Sequence, residues 1–193
     1  RVTGPGYRDY SDQRATHGAV RLLFAQPARS STSLVLAARF TDVSLAESPG
    51  ALTRTQLDSA PRMADPLSVR KQAGKTVRQS DLSLTVGHAL GARGTLDAIV
   101  YGAMRTLANP LTYATVDVDR TSGGASLRVS RAADLAGMAG RFAAGADVQL
   151  QHDDRHESEN CVDAVASSVT CPQGAARRGA ARKDQLELVT SAG

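Results

Sequence analysis

Several places in this 193-residue chain carry residue types that could do chemistry. Asp117 and Asp119 stand two apart, so in a strand they share one face as the carboxylate pair that acid/base work requires. Polar neighbours Arg120 and Arg128 make a structural role the better reading. The run His152-Asp-Asp-Arg-His156-Glu157 offers metal-ligand types, but histidines four apart converge only on a helix, and the local pattern is a strand end entering a loop. A hydrated charged rim fits better, and no metal or cofactor is expected. Gly74-Lys75-Thr76 matches the end of a phosphate-binding loop, yet Val69 stands where that motif needs its first glycine. Ser126, in Gly124-Ala-Ser126-Leu-Arg128, lacks the final glycine of a nucleophile elbow. No enzyme is expected.

Cys161 and Cys171 share one polar stretch between Asn160 and Pro172. A pair without further Cys or His nearby falls short of the four ligands of a zinc site. A disulfide closing a short exposed loop in an oxidising compartment is the preferred reading, and two free thiols are the alternative.

Composition decides what scaffold could hold these groups. Trp is absent, aromatic residues make up 4% of the chain, and Ala, Gly, Ser, Thr and Arg fill it, which supplies a dry globular interior poorly. A barrel wall asks less of its side chains, because strand pairing satisfies the backbone and the inner face can stay polar. The net charge of +4 is spread beside nearly as many acids, with no basic stripe interleaved with aromatics, so no nucleic-acid partner is expected. Arg177, Arg178, Arg182 and Lys183 read as a solvated run, with anionic headgroups or an anionic ligand as the functional alternative. No run of about 18 apolar residues occurs, which excludes a transmembrane helix but not a barrel.

Hydropathy alternates with a period of two along most of the chain. Strands are expected near residues 15–26, 31–46, 77–90, 95–108, 112–131 and 140–153, in an all-β antiparallel up-and-down meander. Short turns are expected at Gln26 to Ser31, Leu90 to Gly94 and Arg131 to Gly140. Long polar loops are expected at 47–76, near Asn109 and Pro110, and at 154–185. Tight turns on one side and long loops on the other are the habit of outer-membrane barrels. In the first long loop, Thr53 to Gln56 forms a capping box that predicts a short helical turn through Leu57. Val116 and Val118 have the opposite parity to Leu127 and Val129, so a bulge is expected at Gly123-Gly124.

The order of these features is similar to the first part of the barrel domain of TonB-dependent outer-membrane receptors. The phrases that carry the resemblance are Gly50-Ala-Leu-Thr53-Arg-Thr-Gln56 through Ala64-Asp65-Pro66, Val77-Arg-Gln-Ser-Asp-Leu-Ser-Leu, and Asn109-Pro-Leu. Asp117-x-Asp119-Arg120 with Ser122-Gly-Gly, and Ala144-Gly145-x-Asp147 followed by Gln149 and Asp153-Asp-Arg155, continue it. The resemblance implies a barrel of about 22 strands around a plug domain, taking up a scarce small ligand such as an iron chelate or cobalamin with energy delivered through TonB. The chain itself begins at Arg1, carries no plug or TonB-box segment, and has too few strands to close, so it is expected to be a fragment of the barrel. Apolar strand faces would meet outer-membrane lipid, and Arg21, Arg39, Asp81, Asp117, Arg141 and Gln149 would face the lumen. A passive outer-membrane pore and a secreted soluble β-domain are the competing readings.

Overall fold

A computed structural model describes residues 1–25, 31–135, 137–162 and 177–192. The order of elements is β1 (Val2–Gly4), β2 (Gln13–Ala25), β3 (Thr32–Ala46), α1 (Arg54–Ser59), α2 (Pro66–Arg70), β4 (Thr76–Ala89), β5 (Gly94–Pro110), β6 (Ala114–Leu135), β7 (Met138–Glu159) and β8 (Arg177–Ala192). All eight strands form one antiparallel sheet in sequence order, and its two outermost strands do not pair with each other. The sheet is an open up-and-down meander, as the alternation predicts. Unpaired edges of this kind template further strand pairing.

The period of two sorts the side chains into two faces, because residues opposite each other in register share a side. One rung runs Leu22, Leu36, Leu84, Val100, Ala125, Val148, Leu188. Neighbouring rungs of the same face add Phe40, Leu82, Met104, Leu127 and Leu150. The other face carries Arg21, Ser83, Tyr101, Gln149 and Glu187 at the same height. Leu22, Leu84, Val100, Leu127 and Leu150 are between 43% and 60% exposed. Among the described residues the buried apolar ones are only Ala64, Ala73 and Ala114, none of them on the apolar face. The sheet therefore buries no core of its own, and its apolar face stands uncovered.

Strand length has a consequence. β6 and β7 each run 22 residues. At roughly 3.3 Å per residue that is about 73 Å, far more than the 9 to 11 residues that cross a bilayer need. Their apolar face spans only the rungs from Leu96 to Met104 on β5, after which it turns charged with Thr106, Asp119, Asp154 and Arg182 on one rung.

This explains the parity change in β6 and corrects the expected bulge. Pairing through Gly123 and Gly124 is continuous with both neighbours. Register shifts occur instead at Arg14/Ala15 and Glu157/Ser158. Leu127 and Val129 lie on the apolar face, whereas Val116 and Val118 lie on the opposite face beyond the apolar band. Polarity inverts along the strand with no residue inserted. Gly124 has its own reason: an added Cβ would lie 2.6 Å from the Tyr101 hydroxyl and 2.6 Å from the Val148 carbonyl oxygen. The aromatic ring of Tyr101 covers a glycine across the strand pair.

Other boundaries also shift. The stretch expected as a loop over 154–185 is strand to Glu159 and strand again from Arg177, since cross-strand charge pairs keep a polar sequence in register beyond the apolar band. The long loop expected near Asn109 and Pro110 is instead a tight connection in which the Leu111 amide donates to the Ala114 carbonyl at 2.7 Å. Pro110, with no N–H to donate, ends β5 and accepts the Gly74 amide at its carbonyl at 2.9 Å.

Residues 47–75 form a folded module rather than a plain exposed loop. Thr53 caps α1 in the expected box with Gln56. Asp65 caps α2, with Pro66 in its first turn, a start signal present in the sequence but not read there. The Ser68 amide donates to the Asp65 carboxylate at 2.8 Å, which with the accompanying Ser68 hydroxyl bond holds that carboxyl below its usual range despite partial burial. Arg8 braces the module by donating to the carbonyls of Met63, Gly50 and Pro49. Lys71, 5% exposed, donates through Nζ to the carbonyls of Asn160 and Val162. Asn160, 3% exposed, answers through Nδ2 to the carbonyls of Lys71 and Leu111. Three outer connections and the N-terminal segment are thereby tied together.

Candidate functional site

The polar face of the sheet is the surface on which separated sequence positions meet. Arg39 and Asp81 are direct cross-strand partners, and Arg21 lies two residues along from the rung they share, opposite Ala37. Gln149 lies opposite Gly124, and Arg141 opposite Ala132 near the short-turn end. All five occupy the polar face. Asp117 does not: it pairs with Ala108 and His156 on the other face, above the apolar band. The expectation that Asp117 shares a side with the other five is corrected by register, since odd-numbered positions of β6 carry Leu127 and Val129.

Toward the long-loop end, one polar rung reads Thr41, Gln79, Arg105, Arg120, Asp153, Lys183. Arg120 grips Asp153 with both ends of its fork, Nε to Oδ1 at 2.6 Å and NH2 to Oδ2 at 2.7 Å. This is the strong, geometrically specific form of a carboxylate pair. Asp153 is held at 13% side-chain exposure and also receives the Gln151 amide at 3.2 Å. Beside it Arg105 faces Arg120 directly, a like-charge pairing that costs free energy in a sheet. Asp153 is taken by Arg120, and the Arg105 Nε is buried with no hydrogen-bond partner among the described residues. Arg21 and Arg39 likewise have no ion pair there. The polar face carries charges of both signs in similar number: Arg39 lies opposite Asp81 and Arg128 opposite Asp97, with Asp147 and Glu187 on the same face.

Arg105 was legible but missed. It continues the parity of Ile99, Tyr101 and Ala103, and the eye stops at Met104, its apolar neighbour. Asp153 was read as hydrated rim, because nothing in its own segment points to Arg120, 33 residues away.

The other chemistry-bearing groups resolve into structure. His152 pairs with Asp184 at 2.5 Å and His156 with Asp154 at 3.3 Å across or along strands. Among the described residues no group of three or more His, Cys, Asp or Glu is placed to hold a metal. Lys75 and Thr76 lead into strand β4 rather than a helix, which removes the phosphate-loop context. Asp117 and Asp119 share a face as expected. Ser126 lies mid-strand on the polar face opposite Asp147. Cys161 follows β7, and Cys171 lies outside the described residues, as do Gln26 to Ser30 of the first expected turn.

No family model matches the sequence, and no curated protein does. The fold is similar to a solved structure described as the ferric citrate transporter FecA in the unliganded form, with a TM-score of 0.66 at 13% sequence identity. That alignment covers 96% of this chain and 26% of the transporter, so the chain spans about a quarter of its length. The likeness shows the fold alone: part of the wall of an antiparallel up-and-down barrel.

Proposed function

We propose that this chain is part of the barrel wall of an outer-membrane receptor that takes up a scarce small ligand, such as an iron chelate or cobalamin, by plug-gated, TonB-energised transport. The observation that carries the reading is the two-faced sheet: an uncovered apolar face about five rungs high, backed by a polar face of mixed charge. An uncovered apolar area of this extent is lipid-facing or an interface in any stable protein. Closed antiparallel strands are the sheet form that satisfies every backbone group in lipid. Further strands would continue from the open edges to complete the barrel, and the plug would occupy its lumen. Arg21, Arg39, Asp81, Arg141 and Gln149 would line the passage with Arg105 and Arg120. Ferric citrate, the cargo named for the structural neighbour, is one ligand of this class. The work is binding and passage, with no covalent step. In the long-loop region Cys161 and Cys171 would close a disulfide, which intact mass after alkylation with and without reductant would register.

Single-cysteine labelling tests the orientation. In whole cells or membranes, Ser83→Cys on the polar face should react with a hydrophilic maleimide, while its neighbour Leu84→Cys should resist it until detergent is added. Equal labelling at both positions, or recovery of the protein in the soluble fraction, would remove the membrane reading. Transport is tested separately, by uptake of radioiron as ferric citrate. Arg39→Ala together with Arg105→Ala should reduce uptake at least ten-fold at unchanged surface abundance, and unchanged uptake would refute the role of the polar face.

A further inference from the structure

A second site stands at the junction of the loop module with the strand ends. A cavity of 470 Å³ opens there, lined by Tyr10, Leu45, Glu47, Val69, Gln72, Lys75, Thr76 and Pro110 among others. Tyr10 and Gln72 are the non-glycine residues of the described chain with positive φ, at 54° and 50°. They lie far apart in sequence, yet both border this cavity. At Gln72 the left-handed turn closes α2: the Gln72 amide donates to the Val69 carbonyl at 3.1 Å and the Ala73 amide to the Ser68 carbonyl at 2.9 Å. The module that carries Gln72 is braced by Arg8 and by the Lys71–Asn160 exchange.

The lining states what would fit. Glu47 already receives the Asp12 amide at 2.9 Å. Burial, and after it the Glu47 carboxylate, raises the Tyr10 phenol above its ordinary pKa, which puts the two groups in each other's field. The side chains of Tyr10, Gln72, Lys75 and Thr76 have no hydrogen-bond partner among the described residues; Tyr10 is half-buried and the other three are exposed, so a guest would exchange with water at these groups. One carboxylate and one ammonium in the same wall disfavour a strongly charged guest of either sign. Leu45, Val69 and Pro110 supply apolar surface beside the polar groups. A guest needs hydroxyls that both donate and accept, on a body with a C–H face.

The geometry points to a binding site for a neutral saccharide of one or two rings, clamped between Tyr10 and Gln72 at the outer ends of β3, β4 and β5. The sugar would be either a free saccharide or the exposed sugar of a membrane glycolipid. The site stands whether or not the sheet transports anything, because it is built by the loop module and strand ends alone.

The test uses the intact protein in detergent, with glucose, galactose, mannose, N-acetylglucosamine and maltose as probes in saturation-transfer NMR. At least one should bind saturably. Gln72→Gly, which suits the left-handed backbone better than glutamine, should weaken it at least ten-fold while the melting temperature holds or rises. Tyr10→Phe should weaken it similarly. Displacement of the sugar by lipopolysaccharide micelles would identify a glycolipid source, and persistence in their presence a free saccharide. Absence of binding by every probe, or binding indifferent to both substitutions, or tighter Tyr10-dependent binding of citrate or spermidine, would overturn the proposal.

Discussion

Replacing Asn160 by alanine should unlatch the loop module without unfolding the sheet. The side chain makes three bonds: Nδ2 to the Lys71 carbonyl at 2.8 Å, Nδ2 to the Leu111 carbonyl at 2.6 Å, and Oδ1 from the Val162 amide at 3.0 Å. At about 1 kcal/mol net apiece the loss is about 3 kcal/mol, and more where a carbonyl stays buried without a partner. Since roughly 1.4 kcal/mol is a factor of ten, local opening should rise about a hundred-fold. Hydrogen exchange read by mass spectrometry resolves this, because local openings are independent of global unfolding. Amides of α2 and of the Leu111–Ala114 turn should lose about two decades of protection, while amides in the middle of β4 to β7 hold theirs. Unchanged protection of α2 would show that Asn160 latches nothing. Equal loss in the mid-strand amides would show that it supports the sheet as a whole, and either result refutes the reasoning.

Other substitutions probe the faces and the turns. Leu84→Arg places a charge on the apolar face and should cost about 2–4 kcal/mol if that face meets lipid near the midplane, whereas Ser83→Arg beside it should cost well under 1 kcal/mol; unfolding in detergent or lipid by urea compares them. Gly124→Ala drives a methyl into the Tyr101 ring and the Val148 carbonyl and should cost about 1–3 kcal/mol, seen as a lower unfolding temperature, with Tyr101→Ala in the same chain recovering only the ring's share. Asp65→Ala should cost the module about 1 kcal/mol through loss of the α2 cap. The Asp65 carboxyl is held below its unfolded value, so its contribution is fully present above the ordinary carboxylate pKa near 4 and disappears as pH falls through the lower folded value. Exchange protection of α2, corrected for intrinsic rate, should therefore lose this contribution only below about pH 4.

Much of the architecture was legible because alternation is local. Leu34, Leu36, Ala38 and Phe40 announce both a strand and its face with no knowledge of a partner, and Thr53 with Gln56 announces a helix start. The same local rule placed Arg21, Arg39, Asp81, Arg141 and Gln149 on one face. It failed for Asp117, where parity was read against Val116 and Val118 as if the apolar side were the same along the whole strand. It failed also at Gly123-Gly124, since a polarity inversion and a bulge look alike until both neighbouring strands are in register.

By itself, then, the order of apolar and polar residues determined that the chain forms long antiparallel strands with one apolar face, because side-chain direction in a strand depends only on parity. Tertiary structure decided everything that depends on which residues lie opposite one another. It set Arg120 on Asp153, left Arg105 beside them unquenched, laid Tyr101 over Gly124, and brought Lys71 to Asn160 across 89 positions of chain. It also turned a polar, proline-containing loop into a braced module with Tyr10 and Gln72 at one cavity. Cross-strand register and loop docking are long-range quantities, and no window of neighbouring residues contains them.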